Sequence, residues 1–579
     1  MQTIFGYTLR DNGYEKVHSY FDSVASLFKA KKFYTCLNKN IGYGIEQNAR
    51  ASFMKEFTFP RDVKLILAGD FINKYEVECK LLRLRKQYFG SVDMYTYLKT
   101  EVLNLVKETD GIFCIVLVDP DTNRLCIFSD QHGIIPLYYY FDKEVFLYGT
   151  SIKCIITYPG FIRHVNNSAI YELFKIGFTV PPSSLFENVS MLVPGELLEF
   201  DGELRIHSAM KPEIAQLHSN SIDVLTEEYY RYFKSSVLTL IKGFTNCTLL
   251  LSGGIDSAAI AAILSRNSSI KLNCLTIDLN YNNQSESMRA RKVSSLFGIE
   301  HHVIKKIDER MTEYLPEVIW YNEAPIYNGI TEYVLVKNVS KKTELVLTGD
   351  GNDLIWGIFN LLPNNYLEGN GIRFSDYYLK CRGCMTDYLL DNVLLIQQDK
   401  SFLYGKINSL YNDTGDFYND SAFVDQKLFG SSCAFNVVGK MRVEPSDALF
   451  RFPYLDKEIE MLISSLPVRY KVMQRNEEFT RKYLFKVAIE KSGILPHEII
   501  YTRKRWMQSP AAEWLRSGLK DYFEGMVFQN DSSVRNYFKL DLIRDIWTFH
   551  QFRKQDYSYF LMMVLTFELW HKEFIDSSS

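Results

Sequence analysis

The stretch Leu249-Leu-Leu-Ser-Gly-Gly-Ile-Asp-Ser-Ala258 sets two glycines, two hydroxyls and a carboxylate between an apolar run and a run rich in Ala and Ile. Glycines let the backbone bend sharply and approach an anion with no side chain in the way. Where a helix opens after them, its unpaired amides add donors and the positive end of its dipole. Ser252 and Ser257 supply hydroxyl donors, and Asp256 can hold a divalent cation against phosphate oxygens. These residue types in this order are those of a phosphate site. It is not of the Walker type, because no Gly-Lys-Ser/Thr follows. Other close groupings carry less. Cys381 and Cys384 have no second pair or histidines at ligand spacing nearby in sequence, so they read as ordinary thiols. The adjacent His301 and His302 read as packing or surface residues.

Such a loop must be delivered by a strand and followed by a helix. Residues 247–251 read as a buried strand and 257–266 as a helix. Residues 272–277 and 344–347 read as further strands, and 227–242 and 286–297 as helices. Strands alternating with helices indicate a parallel sheet covered on both faces. From about residue 355 the chain reads as mainly helical. The tyrosine-rich stretch 359–438 reads equally as pocket lining or as scaffold. The first 200 or so residues have a different texture. Apolar runs at 64–69, 112–118 and 125–128, a strand-rich patch at 190–206, and turns at Pro120-Asp121, Pro194-Gly195 and Asp201-Gly202 suggest two packed sheets. The polar stretch 208–223 marks the boundary, giving expected domains over 1–207 and 222–579.

Composition narrows the class. Of 579 residues, 47% are hydrophobic and 23% charged, which excludes a mainly disordered chain. The formal charge of −3 provides no whole-chain basic field for nucleic acid or an anionic membrane. Ten scattered cysteines do not form a disulfide scaffold. The start has no signal-peptide pattern, and the most apolar segment, 557–567, is shorter than the about 20 residues a membrane span requires. A cytoplasmic protein with no membrane or nucleic-acid partner is expected.

The loop resembles the pyrophosphate loop of the ATP pyrophosphatase superfamily, and the surrounding motifs narrow the resemblance to the asparagine synthetase family. Leu347-Thr-Gly-Asp-Gly-Asn-Asp-Leu-Ile-Trp-Gly357 is similar to the family's Gly-Glu-Gly-x-Asp-Glu element. Arg451-Phe-Pro-Tyr-Leu-Asp456 resembles Arg-x-Pro-Phe-Leu-Asp, and Lys504-Arg-Trp-Met-Gln-Ser-Pro510 resembles Lys-Gln-Gly-Phe-x-x-Pro. Glu286 and Ala290 stand where the family has an Asp-Glu…Ala helix. Asp110-Gly-Ile-Phe113, Asp130-Gln-His-Gly-Ile-Ile-Pro-Leu-Tyr-Tyr139 and Pro194-Gly195 look like elements of its glutaminase domain. The resemblance implies an α/β chain: an N-terminal glutaminase-like αββα sandwich of the N-terminal-nucleophile type, followed by an ATP pyrophosphatase domain with a parallel sheet and helical additions. It assigns Leu251, Ser252, Gly253, Gly254, Asp256, Ser257 and Gly349 to ATP, and Asp256 and Asp353 to Mg²⁺. It gives Lys504 and Asp350 catalytic roles.

The departures from that pattern also carry information. The family's glutaminase uses a cysteine directly after the initiator methionine, where this chain has Gln2; an amide cannot form the thioester. The glutamine-binding Asn-Gly-Glu element is reduced to Ala68-Gly69-Asp70, with Asn73 nearby. Leu354 and Leu449 replace two family glutamates, and Asp350 replaces a third with a shorter acid. This profile resembles the branch of β-lactam synthetases, carbapenam synthetases and lasso-peptide cyclases, which keep the ATP site and join a carboxylate to an amine. The expected activity is therefore AMP-forming amide ligation on a small-molecule or peptide substrate, of which lasso-type macrolactam closure is the favoured form. A precursor peptide and a maturation protease enter as candidate partners. Ammonia-dependent asparagine synthesis and a non-catalytic binding role are the rivals.

Overall fold

The structure, a computed structural model, describes residues 3–9, 20–24, 26–27, 33–37, 40–46, 53–88, 92–208, 221–279, 286–305, 307–325, 329–358, 372–397, 399–413, 416–434, 448–475, 478–502 and 510–577. Several expectations lie outside these residues: Gln2, Lys504, most of the boundary stretch, and the two ends of the 359–438 segment.

The first strands are β1 (Ile4–Leu9), β2 (Phe33–Leu37), β3 (Ile41–Glu46), β4 (Phe53–Thr58), β5 (Lys64–Phe71) and β6 (Gly111–Asp119). They continue with β7 (Arg124–Ser129), β8 (Tyr138–Phe141), β9 (Val145–Gly149), β10 (Val189–Met191), β11 (Glu196–Phe200) and β12 (Leu204–Ser208). They form two antiparallel sheets, ordered β10-β8-β9-β1-β3-β2 and β12-β11-β7-β6-β5-β4. Side chains alternate across a strand, and here both faces of the second sheet are apolar. Leu65 and Leu67 of β5, with Phe113, Ile115 and Leu117 of β6, pack with helices α1 (Lys74–Gln87) and α2 (Met94–Glu108). Ile66, Ala68, Cys114 and Val116 instead meet the first sheet. On the far side of that sheet, Phe5, Tyr7 and Leu9 share a core with α3 (Asn167–Ile176). The layers are helix, sheet, sheet, helix, the expected αββα sandwich. The reading of this region as mostly strands overlooked α1 to α3. In α1, Val77, Leu81 and Leu84 recur at helical spacing within a heavily charged run, and all three are buried.

Among the described residues the second half is built on five parallel strands: β13 (Asn246–Leu250), β14 (Lys271–Ile277), β15 (Glu300–Ile304), β16 (Leu345–Leu347) and β17 (Leu449–Arg451), in the order β15-β14-β13-β16-β17. Cys247 and Leu249 pack with α4 (Ile222–Leu240) and α5 (Ile255–Asn267), while Leu275 and Val346 face the opposite side. The helices α6 (Glu286–Phe297) and α7 (Ile330–Lys337) lie between later strands in sequence. A hairpin, β18 (Val472–Arg475) and β19 (Glu478–Arg481), leads into α8 (Tyr483–Ser492).

The apolar run near the C-terminus is α9 (Ser558–His571), buried on all sides. It packs against the first half, where the Phe174 ring lies 5.9 Å from Phe560 and 6.2 Å from Phe567. Among the described residues no helix is long and apolar enough to cross a membrane.

Polar ties cross the same boundary. Arg451, at the end of β17, donates from Nε and Nη2 to the two carboxylate oxygens of Asp70, at 2.6 and 2.8 Å. Its Nη1 donates to the Leu240 carbonyl at 2.5 Å. The two side chains are only 10% and 12% exposed. A bidentate pair with so little water depends on both partners, since losing one leaves a buried charge uncompensated. Asp70→Asn is therefore expected to cost about 3 kcal/mol, read as a lower chemical-denaturation midpoint. An unchanged midpoint would remove this pair from the forces that join the two halves.

Candidate active site

The apolar strand β13 ends against β16, with Leu249 beside Leu347, so the segments that follow both strands emerge side by side. Strand order reverses direction here: β14 and β15 lie to one side of β13, and β16 and β17 to the other. Crevices at such switch points are where open α/β sheets bind ligands.

After β13 comes Leu251, buried, and then the turn. Gly253 has φ 73°, and a Cβ there would lie 2.4 Å from the Ala290 nitrogen and 2.5 Å from the Arg289 carbonyl carbon. Glycine is thus required both by conformation and by the close approach of α6. Gly254 caps α5, which starts at Ile255. Ser252 and Ser257 fold toward each other, their hydroxyls 3.2 Å apart, and the Ser252 N–H donates to Ser257 Oγ at 3.2 Å. The Gly254 N–H donates to Ser252 Oγ at 3.3 Å. The result is a tight cradle at the start of a 13-residue helix.

After β16 come Thr348, Gly349 and Asp350, then a short turn of helix from Asn352 to Ile355. A Cβ on Gly349 would sit 3.2 Å from both Asp256 Cβ and the Ser257 nitrogen, so glycine lets the two loops touch. Asn352 is fully buried and donates from Nδ2 to Asp256 Oδ1 at 2.6 Å. The Tyr454 hydroxyl donates to the Asp256 carbonyl at 2.8 Å.

The residue that joins the two carboxylates is Lys482. Its Nζ donates to both Asp256 oxygens at 2.8 Å and lies 2.5 Å from Asp353 Oδ1. Lys482 is 4% exposed and stands between β19 and α8 in a left-handed conformation, φ 54°. Burial alone would lower its pKa, but the charges of Asp256 and Asp353 outweigh that and raise it, so the lysine is held as an ammonium. The sequence reading did not find it. It lies 226 residues from Asp256 in an unremarkable Thr-Arg-Lys-Tyr run.

Of the residues assigned from sequence, the structure brings Leu251, Ser252, Gly253, Gly254, Asp256, Ser257, Gly349 and Asp353 to one crevice. Asp350 is exposed beside it, accepting from Thr348 Oγ1 at 2.7 Å. The donor set suits a hard divalent cation: two carboxylates from neighbouring strand ends already converge on a single cationic atom. Among the described residues no group of three or more His, Cys, Asp or Glu forms a metal cage.

Glu332, on α7, is a second residue that the sequence reading missed. Burial first, then the charges of Asp350 and Glu286, push its carboxyl up to about 7, against the hydrogen bond that it accepts from Thr331 Oγ1 at 2.7 Å. The folded chain holds this proton more tightly than an unfolded glutamate, so stability falls as pH rises from about 4.5 through 7. Glu332→Gln removes that dependence. Between pH 5 and 8 the wild type should lose about 2 kcal/mol more stability than the variant. Parallel pH profiles for the two proteins would exclude this glutamate as a titrating group.

Comparison with known proteins agrees with the two-part architecture. An asparagine synthase family model matches residues 228–370 and 448–572, and a glutamine amidotransferase domain model matches 57–208. Asparagine synthetase [glutamine-hydrolyzing] 1 of Bacillus subtilis is 23% identical over 522 residues, covering 82% of this chain and 79% of its own. Asparagine synthetase [glutamine-hydrolyzing] of Gallus gallus is 22% identical over 472 residues, covering 76% and 71%. A Gibberella zeae protein named amidase chry2 is 24% identical over 321 residues, covering 51% and 45%. Both domain models match in chain order, and their matches take in the Ser252–Ser257 cradle and both aspartates; the chain belongs to the asparagine synthetase family.

Proposed function

We propose that this chain is an ATP-dependent amide ligase that activates a carboxylate as its acyl-adenylate and passes the acyl group to an amine. The observation that carries this reading is the convergence of the Ser252–Ser257 cradle, Asp256 and Asp353 at one strand-end crevice, around the Lys482 ammonium.

A free carboxylate resists amine attack because oxide is a poor leaving group. In the proposed reaction a carboxylate oxygen attacks the α-phosphorus of ATP, and the bond to pyrophosphate breaks. The amine then attacks the acyl carbon, loses a proton, and AMP departs with the original carboxylate oxygen. The cradle's hydroxyls and the amides at the start of α5 face the departing pyrophosphate, a preorganised anion site that needs no rearrangement as charge develops. Asp256 and Asp353 would hold Mg²⁺, which supplies neutralising charge to the phosphate oxygens. Lys482, which contacts both aspartates, would lie beside the same oxygens, and Lys504 carries over from the family motif as the ammonium beside charge that develops during amine attack. Asp350, at the crevice rim, is suited to positioning the amine.

The acyl substrate is proposed to differ from aspartate, with intramolecular or peptide-tailoring ligation, such as lasso-type macrolactam closure, as the favoured case. Gln2 in place of the nucleophilic cysteine and Leu354 in place of a glutamate support a changed amine supply. Ammonia-dependent asparagine synthesis is the second reading, favoured by the names of the Bacillus and Gallus relatives. The name of the Gibberella relative is a reminder that likeness to this family does not fix the acyl group.

Mass-spectrometric detection of AMP and asparagine after incubation with ATP, Mg²⁺, aspartate and ammonium separates the two readings. No asparagine is expected, and equimolar asparagine and AMP, absent in Asp256→Ala, would establish the second reading instead. With a competent carboxylate labelled with ¹⁸O, label should appear in AMP; unlabelled AMP would exclude the adenylate. Lys504→Ala should slow turnover by roughly 10²–10³-fold with the fold intact.

A further inference from the structure

We infer that Lys482 is a positioning residue that keeps divalent metal off Asp256 and Asp353 until the triphosphate arrives, so that metal and nucleotide enter the site together. The inference rests on the reading of these two aspartates as the carboxylates that take the cation of ATP.

The argument begins with occupancy of the carboxylate oxygens. Asp256 Oδ1 accepts from both Lys482 Nζ at 2.8 Å and Asn352 Nδ2 at 2.6 Å. Asp256 Oδ2 accepts from Lys482 at 2.8 Å, and Asp353 Oδ1 lies 2.5 Å from the same nitrogen. One ammonium thus engages three oxygens from the ends of two adjacent strands, the same oxygens that a divalent cation would need. The ammonium cannot move aside easily. Lys482 is 4% exposed, and its backbone is fixed in a left-handed conformation at the junction of a hairpin and a helix.

Charge decides what can displace it. The two carboxylates, 18% and 26% exposed, and the buried lysine sum to about −1, and like charges beside a buried ammonium repel more strongly than in bulk solvent. A lone dication entering this site would meet a buried ammonium on the oxygens it must bind. A triphosphate changes that balance. Its oxygens offer the ammonium new acceptors beside the Ser252–Ser257 cradle, which frees the carboxylates for the metal. Metal and nucleotide therefore promote each other's binding, a reciprocal coupling that belongs to this lysine.

Mn²⁺ titration followed by electron paramagnetic resonance tests this without turnover, using the full-length wild type, Lys482→Met and Lys482→Arg, each with and without α,β-methylene-ATP. The wild type should bind Mn²⁺ at least about tenfold more tightly with the analogue than without it. Lys482→Met should gain affinity in the absence of nucleotide and lose most of that ratio, whereas Lys482→Arg retains it. Asp256→Asn in the Lys482→Met background should abolish the gained site. Equal Mn²⁺ affinity of the wild type with and without the analogue overturns the inference, even if Lys482→Met does not fold. A ratio unchanged in folded Lys482→Met overturns it too. If no Mn²⁺ binds to the wild type with the analogue present, the ATP reading itself fails, a result distinguishable from failure of the lysine's role alone.

Discussion

The site depends on one buried ammonium shared by two carboxylates. Removing Lys482, Asp256 and Asp353 from water costs each of them hydration, and only close mutual contact offsets that cost. The geometry supplies it: three oxygens lie within 2.8 Å of one nitrogen. Each charge comes from a different part of the chain, so the contact exists only when the cradle after β13, the turn after β16 and the hairpin before α8 are all in place. The ion triad thereby couples formation of the site to formation of the parallel sheet. Gly253 and Gly349 serve the same end from the backbone side, since a side chain at either position would push α6 or the second loop away.

The first half of the chain supports this arrangement from outside. Arg451 ends the edge strand β17 and is pinned by Asp70 of the N-terminal sandwich. Lys427 donates to the carbonyls of Gln131 and Pro194 at 3.1 and 3.0 Å, which brings two glutaminase-like motifs against the second half. The Glu323 carboxylate accepts from the Ile152 N–H at 2.9 Å and from the Ser151 hydroxyl. Contacts of this kind give the N-terminal half a structural reason to persist that does not depend on glutamine hydrolysis.

Much of this was legible in the sequence, for identifiable reasons. The cradle is local: a strand, two glycines, an acid and a helix within ten residues, each with a direct conformational meaning. β15 and β17 were not expected from the sequence, whereas β13, β14 and β16 were legible because they read as short, largely apolar runs. Their observed ends fall within two residues of the expected ones. Helix α4 begins five residues earlier than expected, because its first turn carries polar residues that hide the periodicity. Lys482 and Glu332 were not legible, because their meaning is set by distant partners. A lysine in a Thr-Arg-Lys-Tyr run reads as solvated, and a glutamate near the start of a short helix gives no sign that Asp350 and Glu286 lie near it. Sequence patterns reveal which face is buried; they do not reveal which charges the topology brings together.

Leu354 shows how a departure from a family motif acquires a physical meaning only in the fold. It directly follows Asp353, where the resemblance calls for a glutamate. The side chain is 3% exposed and shares a core with Ile134, Ile135 and Leu137 of the sandwich and with Phe452. A carboxylate in that core would be costly without a cationic or hydrogen-bonding partner. The substitution therefore does two things at once. It removes a negative charge beside the crevice, so that Asp256, Asp353 and Asp350 carry the acidity of the two loops, and it converts that position into packing between the halves. A change that separates this chain from the family pattern beside the crevice is thus also one that fastens the sandwich to the parallel sheet, which is why the two halves are better understood as one site and its support than as two independent enzymes.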